Sequence, residues 1–211
     1  MNQAAGRRVV LASHNRGKLV ELRRILEPEL PGIEVIGLDD IGDFEEPVED
    51  QPTFEGNALL KARAAAEATG LPSLADDSGI CVDALNGMPG VLSARWSGKP
   101  RAGDERSAAA RNNALLLDQL ADVPDDRRGA EFRCAMALVM PSGASVVEIG
   151  VMRGRVQRAA SGEGGFGYDP LFAADGYDVS TAELTAADKD AISHRGKALR
   201  AMVPHLVALL A

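Results

Sequence analysis

The stretch Val9-Val10-Leu11-Ala12-Ser13-His14-Asn15-Arg16-Gly17-Lys18 runs from an apolar segment through a small, polar turn, and Leu19, Leu22, Ile25 and Leu26 follow at three-to-four-residue spacing up to Pro28. That order predicts a strand, a loop and an amphipathic helix with one apolar face. Backbone N–H groups at such a helix N-terminus point at whatever occupies the corner. Lys18 adds a full positive charge, so the corner suits an anion, phosphate above all. A near echo stands at Ser193-His194-Arg195-Gly196-Lys197. The P-loop pattern G-x-x-x-x-G-K-[ST] does not fit, because Ala12 replaces its first glycine and Leu19 replaces its magnesium-binding hydroxyl.

Working outward, a second strand is expected over residues 33–38, followed by an acidic, proline-punctuated loop from Asp39 to Pro52. Thr53 should cap a helix from Phe54 to Thr69, with Gly70 and Pro72 just beyond its end, and Asn57 and Lys61 share a face of it. Leu71 to Ala75 reads as a short strand ending at Asp76-Asp77-Ser78-Gly79, where a turn would let both carboxylates approach one site. Residues 104–120 are expected as a helix, 131–140 and 145–156 as a hairpin around Pro141-Ser142-Gly143, and 196–210 as a closing helix bent or shortened at Pro204. Strands alternating with helices plus one hairpin make an α/β domain with a mixed sheet, where ligands gather outside strand ends.

With 211 residues, 45% of them hydrophobic and 26% charged, the chain can bury a sizeable core. Its 23 Lys and Arg against 31 Asp and Glu give a net charge of −8, which disfavours nucleic acid and anionic membranes as partners. An anionic ligand must therefore meet a local basic pocket. Cys81 and Cys134 sit in apolar surroundings and match no metal spacing, as expected of core thiols in a reducing cytoplasm. No run approaches the roughly 20 apolar residues of a membrane helix.

Two adjacent aspartates suit magnesium, a hard cation that takes one or two carboxylates plus water and phosphate oxygens, and Glu49 could complete the set. An Asx-turn that merely ends the strand is the plainer reading of the same residues. The glycine-dense segment Gly162-Glu163-Gly164-Gly165-Phe166-Gly167-Tyr168-Asp169-Pro170 would let backbone approach a flat ligand, with Phe166 or Tyr168 stacking on a base. Asp169, Lys189, His194 and Arg195 supply acceptors and donors for its edge. Core aromatics in a tight loop are the alternative there.

Taken together, Ser13 to Lys18, Thr53-Phe54-Glu55-Gly56-Asn57-Ala58, Ala75 to Gly79, Phe166 to Asp169 and Ser193 to Lys197 resemble, in order along nearly the whole chain, the inosine triphosphate pyrophosphatase family. The resemblance implies an elongated two-lobed fold with a central mixed sheet, a cleft between lobes, a magnesium requirement and a homodimer. It also implies hydrolysis of dITP, ITP and XTP to the monophosphate and pyrophosphate. On that likeness Ser13, His14, Asn15, Arg16, Gly17 and Lys18 form the triphosphate loop, and Asp77 is the general base that also meets magnesium, supported by Glu49 and Asp76. Ser78 would touch substrate, and Lys61 would face the phosphates. Phe166, Gly167, Tyr168 and Asp169 would hold the base, with Lys189, His194 and Arg195 finishing the pocket and Arg195 reading the 6-oxo group. Two positions depart from the family pattern: Ser13 stands where many relatives have Thr, and Glu49-Asp50-Gln51-Pro52 replaces the common Glu-x-Gly. A sensor that binds a triphosphate without cleaving it, and a pyrophosphatase for another nucleotide, are the competing readings.

Overall fold

The computed structural model describes residues 8–42 and 44–210. Its elements are β1 (Arg8–Leu11), α1 (Arg16–Leu26), β2 (Glu34–Gly37), α2 (Phe54–Thr69), β3 (Ser73–Val82), α3 (Ala108–Gln119), β4 (Gly129–Val139), β5 (Ser145–Val156), β6 (Phe172–Ala174), α4 (Ala186–Ile192) and α5 (His194–Leu210). The strands form one sheet in the order β2-β1-β3-β4-β5-β6. Its pairing is mixed, with β1 parallel to β2 and β3, and β5 antiparallel to β6. Among the described residues no helix is long and apolar enough to cross a membrane.

The chain divides into two compact units, one of Met1–Asp77, Cys134–Gly150 and Arg195–Ala211, the other of Ser78–Arg133 and Val151–His194. Each has its own core. In the first, Val9 and Leu11 of β1, Leu22 and Leu26 of α1, Leu74 of β3, Cys134, Met136 and Leu138 of β4 and Leu199, Met202 and Leu206 of α5 pack together. The periodicity read after Gly17 is thus the buried face of α1. In the second, Ile80, Val82, Leu116, Leu120, Met152, Leu171 and Phe172 surround Phe132. The Phe132 ring meets the edge of Phe172 at 4.8 Å and stacks on His194 at 4.9 Å.

Several boundaries match their sequence signals because the local chemistry is strong. Thr53 caps α2 through Oγ1, which accepts from the Gly56 N–H at 3.1 Å, and Gly70 ends the helix in the left-handed region at φ +66°. The hairpin closes where Met140 N–H reaches the Ala144 carbonyl at 2.8 Å. Pro204 lies inside α5 without ending it. Cys134 is fully buried, as expected, whereas Cys81 is half-buried.

One expectation is overturned. Asp76-Asp77-Ser78-Gly79 does not end a strand; β3 runs straight through it to Val82. β1 pairs with β3 only at Ser73 and Leu74, and the strand continues beyond it beside β4, so that sheet membership outweighs the turn preference of Ser-Gly. Gly79 is there for close approach. A Cβ built on it would lie 2.3 Å from Ser93 Oγ and 2.5 Å from the Gly90 carbonyl oxygen, and that serine already bridges Ile80 N–H and Gly90 O. Gly79→Ala is therefore expected to destabilise the protein by about 1–3 kcal/mol through overpacking, read as a lower urea midpoint at unchanged slope.

Candidate active site

In an extended strand neighbouring side chains leave opposite faces, so Asp76 and Asp77 have different surroundings. Asp76 is 3% exposed. Both of its oxygens accept from Lys18 Nζ of α1, at 2.9 and 3.0 Å, and Oδ2 lies 3.3 Å from Arg195 Nε of α5. Burial alone would raise its pKa, but the charges of Lys18, Arg195 and Lys61 overcome that and hold it well below the usual carboxylate range. Lys18, Asp76 and Arg195 line a small cavity of about 10 Å³, room for about one water, whose other lining is apolar, including Leu11 and Leu22.

Asp77, 8% exposed, faces α2 instead. Its Oδ2 accepts from Asn57 Nδ2 at 2.8 Å, and Asn57 Oδ1 in turn accepts from the Gln51 N–H at 3.0 Å. One turn along α2, Lys61 Nζ donates to Glu49 Oε1 at 2.5 Å and to the Asp76 carbonyl at 2.8 Å. Burial raises the Asp77 pKa above the usual value, with Asn57 and Lys61 only partly offsetting it and Glu49 and Asp76 adding to it. Burial would lower the pKa of Lys61, yet Asp76, Glu49 and Asp77 together raise it, so it is a firmly held cation.

The three carboxylates expected at a metal have unequal surroundings. Asp76 is committed to Lys18 and Arg195, and among the described residues no group of three or more His, Cys, Asp and Glu side chains is gathered as a metal site. Glu49 and Asp77 are two nearby acidic groups, the charge of Glu49 adding to the raised pKa of Asp77. Two carboxylates of this kind have the right chemistry for magnesium, which draws its other oxygens from water and phosphate.

The corner before α1 also differs in detail from its sequence reading. Asn15 is the N-cap, and its Oδ1 accepts from the Gly17 N–H at 2.9 Å and the Lys18 N–H at 3.2 Å, so two of the N–H groups expected to face an anion are satisfied locally. Ser13 Oγ accepts from the Asn15 N–H at 3.1 Å. His14 Nδ1 lies 2.7 Å from Asp39 Oδ1, a contact that raises the His14 pKa, and the exposed Arg16 lies 3.6 Å from Asp39 Oδ2.

In the second unit, Asp169 is the anchor of the glycine-aromatic segment. Its Oδ2 accepts from the Phe166 N–H at 2.7 Å and from Lys189 Nζ, and its Oδ1 accepts from Thr181 Oγ1 at 2.9 Å. Gly165 must be glycine: φ is +72°, and a Cβ would sit 2.2 Å from Asp169 Oδ2. Phe166 is 57% exposed, with Lys189 Nζ 5.5 Å from its ring centroid. Tyr168 has a different place. It is 4% exposed and its hydroxyl donates to the Ser93 carbonyl at 2.9 Å, so it packs the core, where burial raises its pKa, and Phe166 alone of the two aromatics is presented. His194, stacked on Phe132, is likewise a packed ring, and Ser78 is half-buried in β3. Two residues outside the motifs also hold this segment: Thr181, and Asn113, whose Nδ2 donates to the Gly167 carbonyl at 3.0 Å. No spacing in the sequence marks either. Asn57 was legible as a neighbour of Lys61 on one helix face and as part of the motif at residues 53–58, without a role of its own.

Arg195, expected to read a 6-oxo group, also places its Nε 3.3 Å from the buried Asp76 carboxylate.

The Ham1 family model matches residues 9–205 of the chain. A dITP/XTP pyrophosphatase from Nocardia farcinica (strain IFM 10152) is 59% identical over 203 residues, 96% of this chain and 96% of that protein. A solved nucleoside-triphosphatase / dITP/XTP pyrophosphatase from Mycobacterium abscessus is 52% identical with a TM-score of 0.75, covering 93% of this chain and 99% of that one. A HAM1 protein from Coxiella burnetii is 38% identical with a TM-score of 0.84, covering 95% and 98%. The agreement spans both compact units and every motif of the candidate site, and the chain belongs to the Ham1 family.

Proposed function

We propose that the chain hydrolyses nonstandard purine nucleoside triphosphates, dITP, XTP and ITP, to the nucleoside monophosphate and pyrophosphate. The observation that carries this reading is the pair of adjacent aspartates with opposed environments, on a chain 59% identical to a dITP/XTP pyrophosphatase. Neighbouring carboxylates whose surroundings push their proton affinities apart divide into a fixed charge and a base. Asp76 stays ionised as the counter-charge of Lys18 and Arg195. Asp77, with its raised proton affinity, orients a water and takes its proton as the water attacks the α-phosphorus.

Lys18 and Lys61 are held rigidly by carboxylates and so meet developing negative charge without reorganising. Glu49 and Asp77 would hold magnesium, which when bound polarises phosphate oxygens and neutralises the leaving pyrophosphate. In the second unit the exposed ring of Phe166 offers a stacking surface for a purine, and Lys189 beside it a cation for an oxo group. A site built on such a donor rejects adenine, which presents an amino group there. A homodimer and a cytoplasmic setting belong to the same proposal, carried by the family resemblance alone.

The deciding assay is pyrophosphate and orthophosphate release from dITP, XTP, ITP, GTP and ATP, with magnesium and with chelator. Magnesium-dependent pyrophosphate from the first three is expected; orthophosphate release, or tight binding without turnover, would refute the reading. Asp77→Asn keeps the Asn57 contact and the volume but loses the charge and basicity, so kcat is expected to fall by about 10²- to 10⁴-fold with the unfolding midpoint near wild type. Near wild-type turnover in that variant would remove Asp77 as the base.

Asp76→Asn behaves in the opposite way. It leaves Lys18 and Arg195 buried without their counter-charge and is expected to cost about 3–5 kcal/mol of stability. Because the folded pKa of Asp76 lies below its unfolded value of about 3.9, its contribution is complete above that value and is lost as pH falls toward the folded pKa. Denaturant melts of wild type and variant should therefore differ most near neutrality and converge in acid.

A further inference from the structure

We infer that Asn57 is a positioning residue for the reaction, its single amide setting the Asp77 carboxylate at one end and the loop that carries Glu49 at the other. This rests on the pyrophosphatase reading and adds to it a residue that touches neither substrate nor metal. Asn57 is 0% exposed. Its Nδ2 donates to Asp77 Oδ2 at 2.8 Å, and its Oδ1 accepts from the N–H of Gln51, two residues after Glu49, at 3.0 Å. The orientation of the amide is forced by its partners: an ionised carboxylate only accepts and a backbone N–H only donates. With Oδ2 tied to the amide, rotation of the Asp77 carboxyl group is fixed, and its second oxygen takes one direction.

Packing alone does not explain an asparagine there. The face of α2 that it shares is built of Ala58, Ala62 and Ala65, all fully buried, and alanine is both the better helix former and the cheaper group to bury. Nor is the contact isolated. Lys61, four residues on, repeats the same bridge between the same two segments, from Glu49 Oε1 to the Asp76 carbonyl. Asn57 and Lys61 are two rungs between loop and strand, and Asn57 is the rung that ends on the base itself.

The test compares wild type with Asn57→Ala. Four quantities are measured: kcat and KM for dITP with magnesium, affinity for ITP in EDTA, hydrogen exchange of the Gln51 amide and the unfolding midpoint. Asn57→Ser, too short to span to Asp77, carries the same readouts if the alanine variant is too unstable to purify. The expected result is a fall in kcat of about 10- to 100-fold, faster exchange at Gln51 and ITP affinity in EDTA close to wild type. A merely structural asparagine would lower the midpoint while leaving kcat per folded molecule within about threefold, and that result overturns the positioning role. A wild-type protein that releases no pyrophosphate from dITP sinks the pyrophosphatase reading itself and this inference with it. Active wild type beside an equally active variant sinks only the inference.

Discussion

Asp76 is a carboxylate with almost no access to water, and the first unit is arranged around keeping it charged. An isolated buried carboxylate would bind a proton instead. Lys18 from α1 and Arg195 from α5 prevent that, and each is thereby fixed in place. The ion pair joins three elements far apart in sequence, a helix near the start of the chain, the strand at its centre and the last helix. Apolar packing of Leu11, Leu22, Leu74 and Leu199 in the same core keeps solvent from the pair and so keeps it strong.

A cluster of this composition has consequences for binding. Lys18 and Arg195 are paired with Asp76 and Lys61 with Glu49, so the cations are already partnered before any phosphate arrives. On a chain of net charge −8 this leaves little long-range attraction for a polyanion. Recognition of such a group then rests on geometry close in, where side chains already held by hydrogen bonds present fixed charges. The helix start after Asn15 is likewise satisfied within the chain, by the Asn15 side chain itself.

Much of this was legible in the residues. The loop before α1, the Thr53 cap, the Gly70 exit and the hairpin at Pro141-Ser142-Gly143 each carry a local chemical signal that tertiary structure had no reason to override. Residues 76–79 failed for the converse reason, since Asp, Ser and Gly favour a turn only when no neighbouring strand claims their backbone. The short β6 and α4 fall below the length at which periodicity speaks. Tyr168 and Phe166, two residues apart, could not be told apart by type, and only burial separates the core ring from the presented one. Contacts such as Asn113 to Gly167 join residues 54 positions apart and leave no trace in spacing.

Helix α2 shows how composition that looks featureless can serve a site. Its weakly patterned run of alanines reads as a good helix and little more. Yet Ala58, Ala62 and Ala65, each with no exposure, put nothing larger than a methyl group on the buried side. Two polar side chains of unequal length can then reach from one face: the short Asn57 to the Asp77 carboxylate, the long Lys61 to the Asp76 carbonyl and Glu49. Leucines at those alanine positions would stand the helix away from its neighbours, and the three-bond reach of an asparagine would no longer close the gap. The small residues of α2 are thus a condition for the chemistry of β3, and the site depends on them without their touching it.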